Sequence, residues 1–168
     1  MKPWIAVLLL IALAALPAYA GGVEGKLAPV FSLADAAGAR RSLEDVALGR
    51  PAVVVYWATW CPYCKALLPH LKRLAQAYGG RIAIVAINVW DEPDVDPYAW
   101  MRERGYEFSV LWRGDRAAKA WGVKGTPGLF VVDGAGLVRF DRSARPFEPA
   151  PADATQSGVP DRRTSTER

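Results

Sequence analysis

An apolar and aromatic run, Pro51-Ala-Val-Val-Val-Tyr-Trp57, leads within four residues into Cys61-Pro62-Tyr63-Cys64. A run with no polar alternation suits a strand buried on both faces. The pattern from Cys61 to Tyr78 reads as a helix closed by Gly79-Gly80. A second apolar run, Ile82-Ala-Ile-Val-Ala-Ile-Asn88, follows. Strand, helix, strand with Cys-x-x-Cys at the first junction is a redox signature. The two cysteines are the only ones in 168 residues, and there is one histidine. A multi-disulfide scaffold and a four-ligand Cys/His zinc site within one chain are both excluded.

Residues i and i+3 of a helix have Cβ atoms about 5–6 Å apart, so a small adjustment in the first turn closes a disulfide. Such a short ring removes little chain entropy and is a poor structural staple. Cys61 falls at the helix N-terminus, where free amides and the dipole favour a thiolate. It is expected to attack, and Cys64, one turn in, to resolve the mixed disulfide. Pro62 at the first helical position lacks only an amide that would be unpaired anyway. The amides of Tyr63 and Cys64 are then both expected to donate to Cys61. One such bond, about 1.5–3 kcal/mol, corresponds to a rise of about 30–60 mV in potential. The expectation is a site more oxidising than thioredoxin, above about −270 mV. The alternative is half a metal site holding copper(I) or zinc. The one further soft ligand, His70, lies beyond Pro69 and is expected to face solvent.

The rest of the chain continues the alternation. Phe31–Asp35 and Arg40–Leu43 flank Ala36-Ala37-Gly38 as a hairpin. Asp96 caps a short helix with Pro97 at its first position, ended by Gly105. Phe108–Trp112 reads as a short strand and Arg116–Trp121 as a short helix. Leu129–Asp133 and Leu137–Phe140 flank Gly134-Ala-Gly136 as a second hairpin. The fold class is α/β, a mixed central sheet with flanking helices in three layers and an N-terminal β-hairpin. Asp91-Glu92 follows a core strand and reads as a solvated turn, with a place near the site as the alternative. Trp57, Trp90, Trp100, Trp112 and Trp121 read as packing residues.

Both ends read differently. Lys2, an apolar run from Trp4 to Leu16, Pro17 and Ala18-Tyr19-Ala20 describe a signal peptide over 1–20. Thirteen apolar residues span only about 20 Å of a ~30 Å bilayer core. An uncleaved anchor facing the periplasm is the alternative. Residues 21–27 read as a linker and 28–140 as the domain. Residues 141–168 hold four prolines and ten charges, five of each sign, and read as a disordered Pro-rich tail. The net charge of +4 is too mild and dispersed for nucleic acid.

Between residues 28 and 140 the chain resembles the thioredoxin superfamily, specifically the exported TlpA/ResA-like thiol:disulfide oxidoreductases. The matching pieces are Ala-Pro-Val-Phe-Ser-Leu (28–33), the whole of 51–64, Pro69, Ala-Ile-Asn-Val-Trp-Asp (86–91) and Gly125-Thr126-Pro127. The resemblance implies a cis bond between Thr126 and Pro127 facing the cysteines. It also implies a substrate surface of Trp60, Pro62, Tyr63, Thr126 and Pro127, with Cys61 and Cys64 catalytic. No cofactor is implied. Partners would be protein thiols or disulfides, with an apocytochrome c or a copper-site protein as substrate and a membrane or periplasmic redox protein as donor. A dithiol oxidant or isomerase is the alternative within the class, and a copper(I)-binding module outside it. Three features depart from the pattern. Val55 replaces the buried acid of thioredoxin, Pro62-Tyr63 matches glutaredoxins, and the tail stands where a closing helix is usual. Peroxiredoxins carry Thr and Pro where this chain has Ala58 and Val54, so peroxidase activity is not expected.

Overall fold

The computed structural model describes residues 22–144. Strand β1 (Leu33–Ala34) pairs antiparallel with β2 (Arg40–Arg41). Helix α1 (Leu43–Ala47), strand β3 (Ala52–Trp57), helix α2 (Pro62–Tyr78) and strand β4 (Ala83–Asn88) follow. Then come α3 (Pro97–Glu103), β5 (Ser109–Leu111), α4 (Asp115–Ala120), β6 (Gly128–Val132) and β7 (Val138–Asp141). A 3-10 turn at Arg142–Ala144 ends the described chain. The main sheet has the order β5-β4-β3-β6-β7.

Strand β3 lies at the centre because all six of its side chains are apolar or aromatic, and all six are buried. It runs parallel to β4 and antiparallel to β6. The period of two splits its side chains between two cores. Val54 and Tyr56 join Val85, Ile87, Phe130 and Trp121 on one face. Val53, Val55 and Trp57 join both cysteines, Leu68, Leu71 and Met101 on the other, under α2 and α3. Each large side chain so buried contributes about 1.5–3 kcal/mol. Trp121 anchors the first core. Its ring meets Phe130 edge-on at 4.9 Å, and its Nε1 donates to the Pro29 carbonyl at 2.9 Å. The half of the second face carrying Leu129, Val131 and Phe140 is only partly buried.

The elements follow their local chemistry. Asp96 caps α3 by accepting from the Tyr98 and Ala99 amides, and Gly79 closes α2 at φ 54. Three expectations need correction. Leu43 does not extend the hairpin. Ser42 and Asp45 form a capping box that turns residues 43–47 into α1. Residues 22–27 do not behave as a linker, because backbone bonds tie Gly25 and Lys26 to Val138, and Leu27 bridges Leu137. The tail boundary at 141 falls inside structure: Asp141 ends β7 and is fully buried. The expected signal at 1–20 and the remaining tail, 145–168, lie outside the described residues.

Asp141 closes the domain. Its carboxylate accepts from the Val23 amide (3.3 Å), the Ser143 amide (2.9 Å) and the Ser143 hydroxyl (2.6 Å). Its own amide donates to Glu24 Oε2 at 3.2 Å. Asp141→Ala leaves those donors without the carboxylate and is expected to lower stability by about 2–3 kcal/mol. Urea denaturation checks this; an unchanged midpoint would show that the clasp is idle.

Candidate redox site

The site sits where β3 hands over to α2. Cys61 is the N-cap of α2, with Pro62 at the first helical position. The two cysteines form a disulfide with Cα atoms 5.3 Å apart. The Cys64 amide donates to Cys61 Sγ at 3.1 Å, one of the amides that a helix start leaves free. Sequence reasoning expected a second donor, Tyr63. Among the described residues Tyr63 makes no such bond in this disulfide form.

Thr126 and Pro127 come from the segment before β6, and the peptide bond between them is cis. The Thr126 carbonyl oxygen lies 3.5 Å from Cys61 Sγ. In the disulfide Sγ has no proton; on reduction a Cys61 thiol can donate to that oxygen. The two neighbours therefore oppose each other, the amide favouring thiolate and the carbonyl favouring thiol.

Access is narrow. Cys61 is 2% exposed, while Trp60 is 57% and Tyr63 75% exposed. Pro62 is exposed, and Thr126 and Pro127 are half-buried. Trp60 Nε1 donates to the Trp90 carbonyl at 3.0 Å, and Trp90, itself partly exposed, has a left-handed backbone at φ 57. An aromatic rim of Trp60, Tyr63 and Trp90 thus stands beside a recessed sulfur. His70 is exposed and pairs with Arg73 at 2.9 Å. Tyr56, one face away, is fully buried, and among the described residues its hydroxyl has no partner. Burial pushes its phenol well above the ordinary range.

Asp91 is the residue that sequence reasoning missed. It is not a solvated turn. Its carboxylate accepts from the Thr59 amide (3.0 Å), the Thr59 hydroxyl (2.9 Å) and Asn88 Nδ2 (2.7 Å). It thereby ties the loop before Cys61 to the end of β4. The Asn-Val-Trp-Asp stretch directly after a buried strand was the available signal.

The fold and this site define a thioredoxin-like protein with a disulfide in the first turn of its second helix. The chain belongs to the AhpC/TSA family, whose model matches residues 25–141. It is 33% identical over 120 residues to the "Thiol:disulfide interchange protein DsbE" of Allochromatium vinosum, covering 70% of this chain and 65% of that one. It is 36% identical over 120 residues to the "Thiol:disulfide interchange protein HelX" of Rhodobacter capsulatus, covering 69% and 65%. The match thus spans just under two thirds of these relatives. A crystal structure of a putative DsbE from Chlorobium tepidum superposes with a TM-score of 0.63 at 27% identity, covering 70% of this chain and 83% of that one.

Asp91→Ala is expected to cost about 2–3 kcal/mol, because it deprives three donors of a charged acceptor. Thr59→Ala, which removes one donor and keeps the carboxylate, should cost about 1 kcal/mol. Urea unfolding of the oxidised proteins checks the order; equal losses would mean that Asp91 acts through the Thr59 hydroxyl alone.

Proposed function

We propose that this chain is an exported thiol:disulfide oxidoreductase that reduces disulfides in partner proteins, with Cys61 as nucleophile and Cys64 as resolving thiol. The observation that carries this reading is the Cys64 amide aimed at Cys61 Sγ within a disulfide that staples almost nothing. The names of the relatives and the signal-like residues 1–20 support it.

In the cycle, the Cys61 thiolate attacks one sulfur of the partner's disulfide and expels the other as a thiolate. Cys64 then loses its proton and attacks Cys61 Sγ. The partner leaves fully reduced, and the Cys61–Cys64 disulfide remains. A membrane or periplasmic redox protein returns the two electrons by the same exchange in reverse. No cofactor takes part. Trp60, Pro62, Tyr63, Thr126 and Pro127 are the surface on which the partner lies. The reductive direction, the periplasmic setting and a substrate such as an apocytochrome c or copper-site protein follow from the resemblance to exported relatives.

Cys64→Ala should trap the partner as a mixed disulfide through Cys61, visible on a non-reducing gel and lost on reduction. Cys61→Ala should trap nothing. The reading fails if periplasmic extract yields no disulfide-linked species and Cys61 resists alkylation at neutral pH.

A further inference from the structure

A cleft of about 590 Å³ opens between the segment entering β1 and the turn between β5 and α4. The Trp112 amide closes its floor by donating to the Ala34 carbonyl at 3.0 Å. Three exposed arginines line it, Arg40, Arg113 and Arg116, against one carboxylate, Asp115. That carboxylate is already engaged, since its Oδ1 accepts from the Trp90 amide at 3.2 Å. Among the described residues neither Arg113 nor Arg116 has a carboxylate within ion-pair distance.

Two further features set the cleft apart from ordinary surface charge. Arg113 has a left-handed backbone, φ 55, a conformation that costs a side chain about 1–2 kcal/mol and that glycine adopts freely. Its guanidinium lies 4.6 Å from the Trp112 ring centre, which holds a flexible side chain over the cleft. A relay of hydrogen bonds also links the lining of the cleft to the redox site. Asp115 lines it and holds Trp90, and Trp90 holds Trp60, the neighbour of Cys61.

We propose that this cleft docks an acidic segment of the protein whose thiols exchange with Cys61. The inference rests on the oxidoreductase reading and adds the charge of the partner. Guanidiniums bind carboxylates in paired hydrogen bonds. Val30, 95% exposed on the rim, and the Trp112 ring suit an apolar residue among the acids. An open cleft with its charges spread along it fits a chain segment better than a compact anion. Because the arginines are exposed, the gain appears mainly in the association rate and is screened by salt.

The test uses the oxidised full chain and reduced cysteine peptides that differ only in a flanking block of aspartate, serine or lysine. The block is placed on either side of the cysteine in separate sets. Stopped-flow tryptophan fluorescence reads the rate. At low ionic strength the aspartate peptide of one set should react about tenfold faster than its lysine counterpart, and the gap should close in high salt. Arg113→Glu with Arg116→Glu should reverse the order while the serine peptide reacts as before. Arg113→Gln with Arg116→Gln should level it. Equal rates for all flanks, or a preference kept in these variants, overturn the docking cleft. Failure of the serine peptide to react with either protein would instead overturn the oxidoreductase reading beneath it.

Discussion

Strand β3 is held on every side. Backbone bonds to β4 and β6 saturate its edges, and two hydrophobic cores press on its faces. A strand with no solvent-facing surface has no inexpensive way to shift register, since a one-residue slip exchanges every side chain between the cores. Its last residue, Trp57, carries that rigidity outward. The Trp57 carbonyl accepts from the Val89 amide at 2.9 Å, so the chains leaving β3 and β4 start from fixed points. Only three residues separate that end from Cys61. The sulfur is therefore placed by the sheet, and Asp91 removes the slack that remains in the connecting loop.

The chemistry at Cys61 is a balance set by two backbone groups. One comes from α2 and the other from the segment before β6, 65 residues away in sequence. Neither is a side chain, so proline at position 64 would remove the amide, while no substitution removes the Thr126 carbonyl. Substitution can also alter the rim: Trp60, Tyr63 and Trp90 present aromatic surface around a recessed sulfur. On the proposed reading, recognition would fall to the rim and reactivity to the two backbone groups, drawn together from three separate segments.

Local signals made much of this legible in advance. The unbroken apolar runs marked β3 and β4, Asp96-Pro97 marked the start of α3, and Cys61-Pro62 marked the start of α2. The readings that failed depended on distant or backbone-only partners. Asp91 looked like a turn because its principal partner, Thr59, lies 32 residues upstream. Residues 22–27 looked like a linker because much of their attachment to β7 runs through main-chain groups, and the side chains that join in, Glu24 and Asp141, are 117 residues apart. Helix α1 is the exception: Ser42 and Asp45 have the spacing of a reciprocal cap, and reading Leu43 as strand overlooked it. The arginine cleft was invisible because Arg40 and Arg113 come to line one cleft only through tertiary packing.

The Asp141 clasp has a mechanical consequence. Val23 and Ser143, close to the two limits of the described residues, are joined through one carboxylate. The entering segment also pairs with β7 and covers part of an otherwise open sheet edge. Tension between the two ends would act first on this clasp and peel the β7 margin, leaving β3, α2 and the disulfide unloaded. Whichever of Val23 and Ser143 is pulled, the load meets that same carboxylate first.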